Sequence, residues 1–225
     1  VLDWGVFHHA DAFLGVWQRY GRLLNQRNSL LKQGANSRTL AAFDQQLVRE
    51  AEELSQTRSD YVAELDTEVQ VVAATVLGGH DLSIVFRQGW AAGENLGDVL
   101  ARRRESDMER GFTGSGPHRA DLEITLDGAS VGRVASRGQQ KAVVAVLKLA
   151  QARLFARARG EAPVLLLDDV ASELDREHRA GVLRGALALG GQVFATAIEA
   201  GAIEVPGVGV SRMFHVEHGR LQELV

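Results

Sequence analysis

With 225 residues, 45% of them apolar and 24% charged, the chain has room for one large domain or two modest ones and can bury a sizeable core. That balance excludes a disordered or collagen-like chain, and the absence of cysteine excludes disulfide scaffolds, thiolate metal sites and cysteine nucleophiles. The formal charge of -4 gives no global nucleic-acid footprint, no apolar run approaches the roughly 20 residues that span a bilayer, and the start Val1-Leu2-Asp3-Trp4 has no signal-peptide character.

In chain order, Phe13, Trp17, Tyr20 and Leu24 recur at three- and four-residue steps, the stripe of an amphipathic helix. Gly34, Asn36 and Ser37 break it, and Ser37 is the expected cap of the next helix. That long helical segment runs from about Arg38 to Leu77. Its Leu40, Leu47, Leu54 and Tyr61 are spaced by sevens, with Phe43, Leu65, Val69, Val72 and Val76 on the flanks. A seven-residue repeat keeps one seam on a partner helix, and an antiparallel helical hairpin is expected rather than an extended intermolecular coiled coil. Gly78-Gly79-His80 ends the helix, and Leu82 to Phe86 reads as a strand. After a loop from Gly89 to Gly93, Asn95 or Asp98 caps a charged helix reaching Met108. Its Arg102-Arg103-Arg104 is either a solvated face or a DNA contact.

From Gly111 the composition shifts, so the domain boundary is expected there: a helical arm over 1–110 with one short strand, and a second domain over 111–225. Glycines and Pro117 lead into the strand Leu122 to Leu126 and an Asp127-Gly128 turn. Gln139 to Arg159 reads as a helix buried through Val143, Val146, Leu147, Ala150 and Leu154. Pro163 ends it. The continuous apolar run Val164 to Leu167 reads as a strand covered on both faces, as in parallel sheets. A helix from about Asp175 to Leu189, a strand Gln192 to Thr196 and a hairpin around His218-Gly219 complete the chain.

The chemistry concentrates between Ser136 and Thr196. An apolar strand ending in Asp168-Asp169 places two carboxylates at the carboxyl edge of a parallel sheet, where α/β proteins bind ligands. One such carboxylate can hold Mg²⁺, usually through water, and its neighbour can orient an attacking water; two acids there also serve as plain helix caps. Ser136-Arg137-Gly138-Gln139-Gln140-Lys141 precedes a long helix. Amides at a helix start favour an anion such as phosphate, and Arg137 and Lys141 add positive charge. A serine N-cap beside a glycine is the structural alternative. The histidines His8, His9, His80, His178, His215 and His218 lack metal-site spacing.

This order of elements resembles the second half of an ABC-type ATPase. Ser136 to Gln140 is similar to its signature motif, Val164 to Asp169 to its Walker B strand, and Ser172 to Asp175 to its D-loop. Thr196 stands at the switch position. The expected fold is therefore α/β, the C-terminal lobe of an ABC-type ATPase sheet with an attached antiparallel helical arm. Within that superfamily the wording resembles the RecF family of bacterial recombination ATPases. The resemblance rests on Leu2 to His8, on Tyr20, Gln26, Arg27 and Asn28, on Gly111-Phe112-Thr113 and Gly116 to Leu122, on Leu167 to Asp175, and on Gln192 to Thr196. No Gly-x-x-x-x-Gly-Lys-Ser/Thr phosphate loop occurs, and Lys32, Lys141 and Lys148 all lack a preceding glycine-rich loop. The resemblance thus implies the C-terminal portion of a longer protein.

It also implies ATP and Mg²⁺ as cofactors and an ATP-dependent homodimer. In that scheme Ser136, Arg137, Gly138, Gln139 and Lys141 cap, in trans, the ATP bound by the partner. Asp168 would hold Mg²⁺, Asp169 would position the attacking water, Asp175 would signal across the interface, and Thr196 would sense the γ-phosphate. Asp169 stands where most ABC members carry Glu, and Thr196 where many carry His; both departures imply slow turnover, suited to a switch. The implied partners are double-stranded DNA beside single-stranded gaps, together with RecO and RecR in loading RecA, in the cytoplasm and without a membrane. Arginine supplies 22 of the 25 basic residues, which suits phosphate contacts. His118 and Arg119 read as a DNA or partner site, or as a structural loop. Two other functions are compatible with the motifs: a non-hydrolysing interaction module, and a fragment of another SMC-like ABC ATPase with a shortened arm.

Overall fold

The computed structural model describes residues 2–170, 174–203 and 212–224. The chain divides into two compact units, one of residues 1–70 and 81–134 and one of residues 71–80 and 135–225.

The first unit is built on three helices, α1 (Leu2–His9), α2 (Phe13–Lys32) and the greater part of α3 (Ser37–Val76). Helix α3 is unbroken for 40 residues. Its heptad seam is buried at Leu40, Leu47, Leu54, Tyr61, Leu65 and Val69, as the spacing requires. Arg19 on α2 pairs with Glu50 on α3 at 2.8 Å and Arg27 with Asp44 at 2.7 Å, so the two helices run antiparallel. Two local expectations are corrected. The cap of α3 is Asn36, whose Oδ1 accepts from the Thr39 N–H at 2.9 Å, while Ser37 already lies inside the helix. The buried stripe of α2 is Phe13, Val16, Tyr20, Arg27 and Leu31, and Trp17 stays 47% exposed.

Helix α4 (Leu96–Arg110) is capped by Asn95 and ends on Gly111 at φ 72°, a left-handed C-cap that favours glycine. An antiparallel sheet of order β1-β2-β3 joins β1 (Leu82–Arg87), β2 (Asp121–Leu126) and β3 (Ala129–Ser130), with Leu82 opposite Leu126 and Arg87 opposite Asp121. A short helix α5 (Val131–Val134) follows. This pairing places residues 111–134 in the same compact unit as β1, so the units do not divide at the composition shift near residue 110. The cause is the ladder itself: β1 lies upstream of the shift and pairs with a strand downstream of it.

The second unit contains α6 (Arg137–Arg159), α7 (Arg176–Leu187) and the end of α3. Helix α6 buries Ala142, Val143, Val146, Leu147, Ala150 and Leu154, and α7 buries Val182, Leu183 and Ala186. At Gly181 a Cβ would come within 2.8 Å of Thr75 O and of Val76 Cα, so only glycine lets α7 approach the α3 backbone this closely. Strands β4 (Leu165–Leu167) and β5 (Val193–Ala195) pair in parallel, with Leu166 opposite Phe194. The terminal hairpin of β6 (Met213–Glu217) and β7 (Arg220–Leu224) turns at His218 and Gly219, both at positive φ.

The apolar run at β4 predicts a strand covered on both faces, and one face of the β4–β5 pair is open. Leu166 is 76% and Phe194 51% exposed, and Val164 and Ile198 are exposed as well. Alternation along a strand puts Val164, Leu166 and Asp168 on one side, and Phe194 and Thr196 on the matching side of β5.

Candidate functional site

Strands β4 and β5 end together, and their carboxyl ends carry the acids. Beyond the last ladder residue, the Thr196 N–H donates to Leu167 O at 2.9 Å. The Thr196 hydroxyl donates to Asp168 Oδ1 at 2.7 Å and accepts the Asp169 N–H at 2.8 Å. Thr196 lies 28 positions after Asp168 and 27 after Asp169, yet the three form one hydrogen-bonded cluster. Asp169 adopts φ 46°, left-handed backbone that few non-glycine residues occupy and that Asp tolerates better than most. Asp168 and Thr196 are exposed and continue the open face of the sheet.

Ser136 caps α6. Its Oγ accepts the Gln139 N–H at 3.2 Å while Gln139 Oε1 accepts the Ser136 N–H at 2.9 Å, a reciprocal capping box. Gln140 Nε2 donates to Ala135 O at 3.1 Å. The structural alternative for the Ser136 motif is therefore realised, and it leaves the motif accessible: Ser136, Arg137 and Lys141 are exposed. Among the described residues, its own helix backbone and chain neighbours aside, a Cβ at Gly138 would meet only Ser136 Oγ, at 4.0 Å, so packing among them does not demand glycine there.

Asp175 caps α7, its Oδ1 accepting the N–H groups of Glu177 at 3.0 Å and His178 at 2.9 Å. Hydrogen bonding by the His178 N–H, helped by the His178 ring, holds its carboxyl below the usual Asp range. Of the D-loop segment, Ser172 and Glu173 lie outside the described residues.

Asp168, Asp169 and Thr196 thus converge. Ser136, Gly138 and Gln139 form a separate local unit at the start of α6, and Asp175 a third at the start of α7. Among the described residues no group of three or more His, Cys, Asp or Glu side chains is placed to hold a metal. The donors of the β4–β5 cluster are hard oxygens, a carboxylate beside a hydroxyl, which fits Mg²⁺ and not a thiophilic or imidazole-seeking ion.

Two of the three arginines at 102–104, together with His118 and Arg119, are engaged structurally. Arg102 pairs with Glu94 at 2.8 Å, and Arg104 with Asp44 at 2.9 Å. His118 Nδ1 receives the Tyr20 hydroxyl at 2.6 Å, its Nε2 donates to Thr113 O at 2.9 Å, and Arg119 lies over the Phe112 ring at 5.6 Å. These contacts match the structural-loop reading of His118 and Arg119. Sequence reasoning missed the buried member of this region, Arg27. An arginine on the apolar stripe of α2, with Asp44 and Asp107 on other helices, is the signal that could have found it.

No protein-family model matches the chain. Among curated proteins, it is 40% identical over 222 residues to a DNA replication and repair protein RecF from Vibrio atlanticus, covering 99% of the chain and 62% of that relative. It is 40% identical to RecF of Thioalkalivibrio sulfidiphilus and 42% identical to RecF of Stenotrophomonas maltophilia, covering 98% of the chain and 61% of the relative in both cases. Among solved structures, the recombination mediator protein RecF with ATPrS, in the RecFOR pathway, superposes with a TM-score of 0.79 at 26% identity, over 100% of this chain and 62% of that one. The chain therefore spans about three-fifths of the length of the relatives it matches.

Proposed function

The chain belongs to the RecF family, matching the C-terminal portion of its members, and we propose that it serves as the C-terminal part of an ATP-dependent, DNA-binding recombination mediator. The observation that carries this reading is the cluster of Asp168, Asp169 and Thr196 at the carboxyl ends of two parallel strands.

In this proposal Asp168 faces the metal and Asp169 the attacking water. Mg²⁺, when bound there with ATP, would neutralise phosphate charge. The α6 start, with Ser136, Arg137, Gly138, Gln139 and Lys141, caps the nucleotide of a second copy, so that ATP closes a homodimer and hydrolysis opens it. Exposure of Ser136, Arg137 and Lys141, and the open space at Gly138, support that role. Asp175 borders the same interface. Turnover is slow, because Asp169 is one methylene shorter than Glu. At the level of the whole protein we place this activity on duplex DNA beside single-stranded gaps, acting with RecO and RecR to load RecA in the cytoplasm. The open face of β4 and β5 is where further sheet and helix of the longer protein would pack.

The test is the oligomeric state of the full-length protein with and without ATP, measured by analytical ultracentrifugation. An ATP-dependent dimer that Ser136→Arg abolishes is expected. A dimer that survives Ser136→Arg removes the trans-capping role, and a monomer in both nucleotide states favours the interaction-module reading.

A further inference from the structure

Thr196 is engaged in three directions at once. Its N–H donates to Leu167 O at 2.9 Å, its hydroxyl donates to Asp168 Oδ1 at 2.7 Å, and its oxygen accepts the Asp169 N–H at 2.8 Å. A threonine hydroxyl has one proton, and here that proton is on Asp168. Branching at Cβ narrows χ1, so the direction of the hydroxyl is set by the backbone of the β5 end. Across from it, Asp169 sits at φ 46°, and the hydrogen bond from its N–H is a contact that holds this uncommon backbone in place.

We infer that Thr196 is a positioning residue for the two carboxylates: its hydroxyl orients the Asp168 side chain and pins the backbone that carries Asp169. This rests on the proposed nucleotide site, and it changes the role of Thr196 within it. A sensor of the γ-phosphate has to donate a hydrogen bond to a phosphate oxygen. Thr196 could do so only by releasing Asp168, and a hydroxyl that keeps its proton on Asp168 offers an anion nothing but lone pairs. A group that hydrogen-bonds a metal-facing carboxylate instead tunes metal affinity, and removing such a group weakens binding roughly 10- to 100-fold.

The experiment uses the full-length protein as wild type, Thr196→Val, which keeps the shape without the hydroxyl, and Thr196→Ser, which keeps the hydroxyl. Two quantities are read: backbone hydrogen exchange of the segment around Asp169 without nucleotide, and the affinity for Mn²⁺ in the presence of ATP, followed by electron paramagnetic resonance. Thr196→Val is expected to speed exchange at Asp169 about fivefold and to weaken Mn²⁺ about tenfold, with Thr196→Ser close to wild type in both. Unchanged exchange and unchanged Mn²⁺ affinity in Thr196→Val, with selective loss of ATP over ADP, would overturn the proposal in favour of phosphate sensing. Faster exchange in Thr196→Val, with no Mn²⁺-ATP binding even by the wild type, overturns the nucleotide-site reading and with it the metal-positioning role. The nucleotide-free arm keeps these two failures apart.

Discussion

Arg27 on α2 donates from Nε to Asp44 Oδ1 on α3 at 2.7 Å, and its side chain is wholly buried. Its Nη1 reaches Asp107 Oδ2 of α4 at 2.8 Å and Thr113 Oγ1 at 2.9 Å. One guanidinium therefore ties three helices and the glycine-rich segment after α4, and Asp107 accepts a bond from the Gly114 N–H at 3.0 Å. A buried pair of this kind contributes little over an apolar substitute while intact, but breaking it strands the partner charge. Arg27→Met should lower unfolding free energy by about 3–5 kcal/mol, read by urea denaturation. Arg27→Lys should rescue little of it, because an ammonium cannot reproduce the fork that spans Asp44 and Asp107.

The Tyr20–His118 contact gives the first unit a pH dependence. The Tyr20 hydroxyl donates to His118 Nδ1 at 2.6 Å, which leaves Nε2 to carry the proton it donates to Thr113 O. Burial, the largest cause, lowers the His118 pKa, and burial likewise pushes the Tyr20 hydroxyl up. A histidine held neutral by the fold contributes stability that is full above its ordinary pKa of about 6.5 and is lost as pH falls through the depressed value. The thermal unfolding temperature of wild type should therefore drop as pH falls from neutral to mildly acidic. His118→Gln, which has nothing to titrate, should flatten that part of the profile. An equal slope in the variant would assign the pH dependence to other groups.

Much of this was legible in the sequence, and the exceptions have physical reasons. The seam Leu40, Leu47, Leu54 and Tyr61 fixed α3 because a seven-residue period survives any local ambiguity. Asp168, Asp169 and Thr196 could be placed at one sheet edge because parallel strands end at the same side. Asn36, not the expected Ser37, caps α3, since both side chains cap well and only the Thr39 bond chooses. Arg27 escaped because periodicity counts apolar residues, and a buried arginine breaks that count. Composition is local, whereas the β1–β2 ladder joins residues as distant as Leu82 and Leu126, so compact units need not divide where composition shifts. The open face of β4 and β5 was invisible because a continuous apolar run records what the strand needs, not what covers it.

Leu166 and Phe194 are register partners on that open face, 76% and 51% exposed. Val164, on the same side of β4 as Leu166, is exposed as well, and apolar surface of this kind drives association when it faces water. The 225-residue chain alone should self-associate and bind a hydrophobic dye. Leu166→Glu with Phe194→Glu should suppress both effects while leaving helix content intact. In the full-length protein the same pair of changes should instead impair folding, if further sheet and helix pack on this face. Unchanged dye binding by the doubly substituted chain would place the association surface elsewhere.

Gly138 separates a structural from a functional reason for glycine. It lies in the first turn of α6, behind the Ser136–Gln139 capping box, and among the described residues, its own helix backbone and chain neighbours aside, the nearest atom to the position of a Cβ is Ser136 Oγ at 4.0 Å. Glycine in a helix is less favourable than alanine by roughly 0.5–1 kcal/mol, through the backbone freedom it loses. On stability alone Gly138→Ala should therefore raise the unfolding free energy by up to about 1 kcal/mol. If α6 begins at the nucleotide of a second copy, the added methyl intrudes where backbone has to approach phosphate, and ATP-dependent dimerisation should weaken. The two effects have opposite signs in one variant, so calorimetry and ultracentrifugation on the same preparation read them separately. Ser136→Ala gives the complementary pattern: loss of the cap lowers stability by about 1 kcal/mol, and the dimer weakens as well. A Gly138→Ala protein that is more stable and dimerises normally would show that the α6 start does not contact a bound nucleotide.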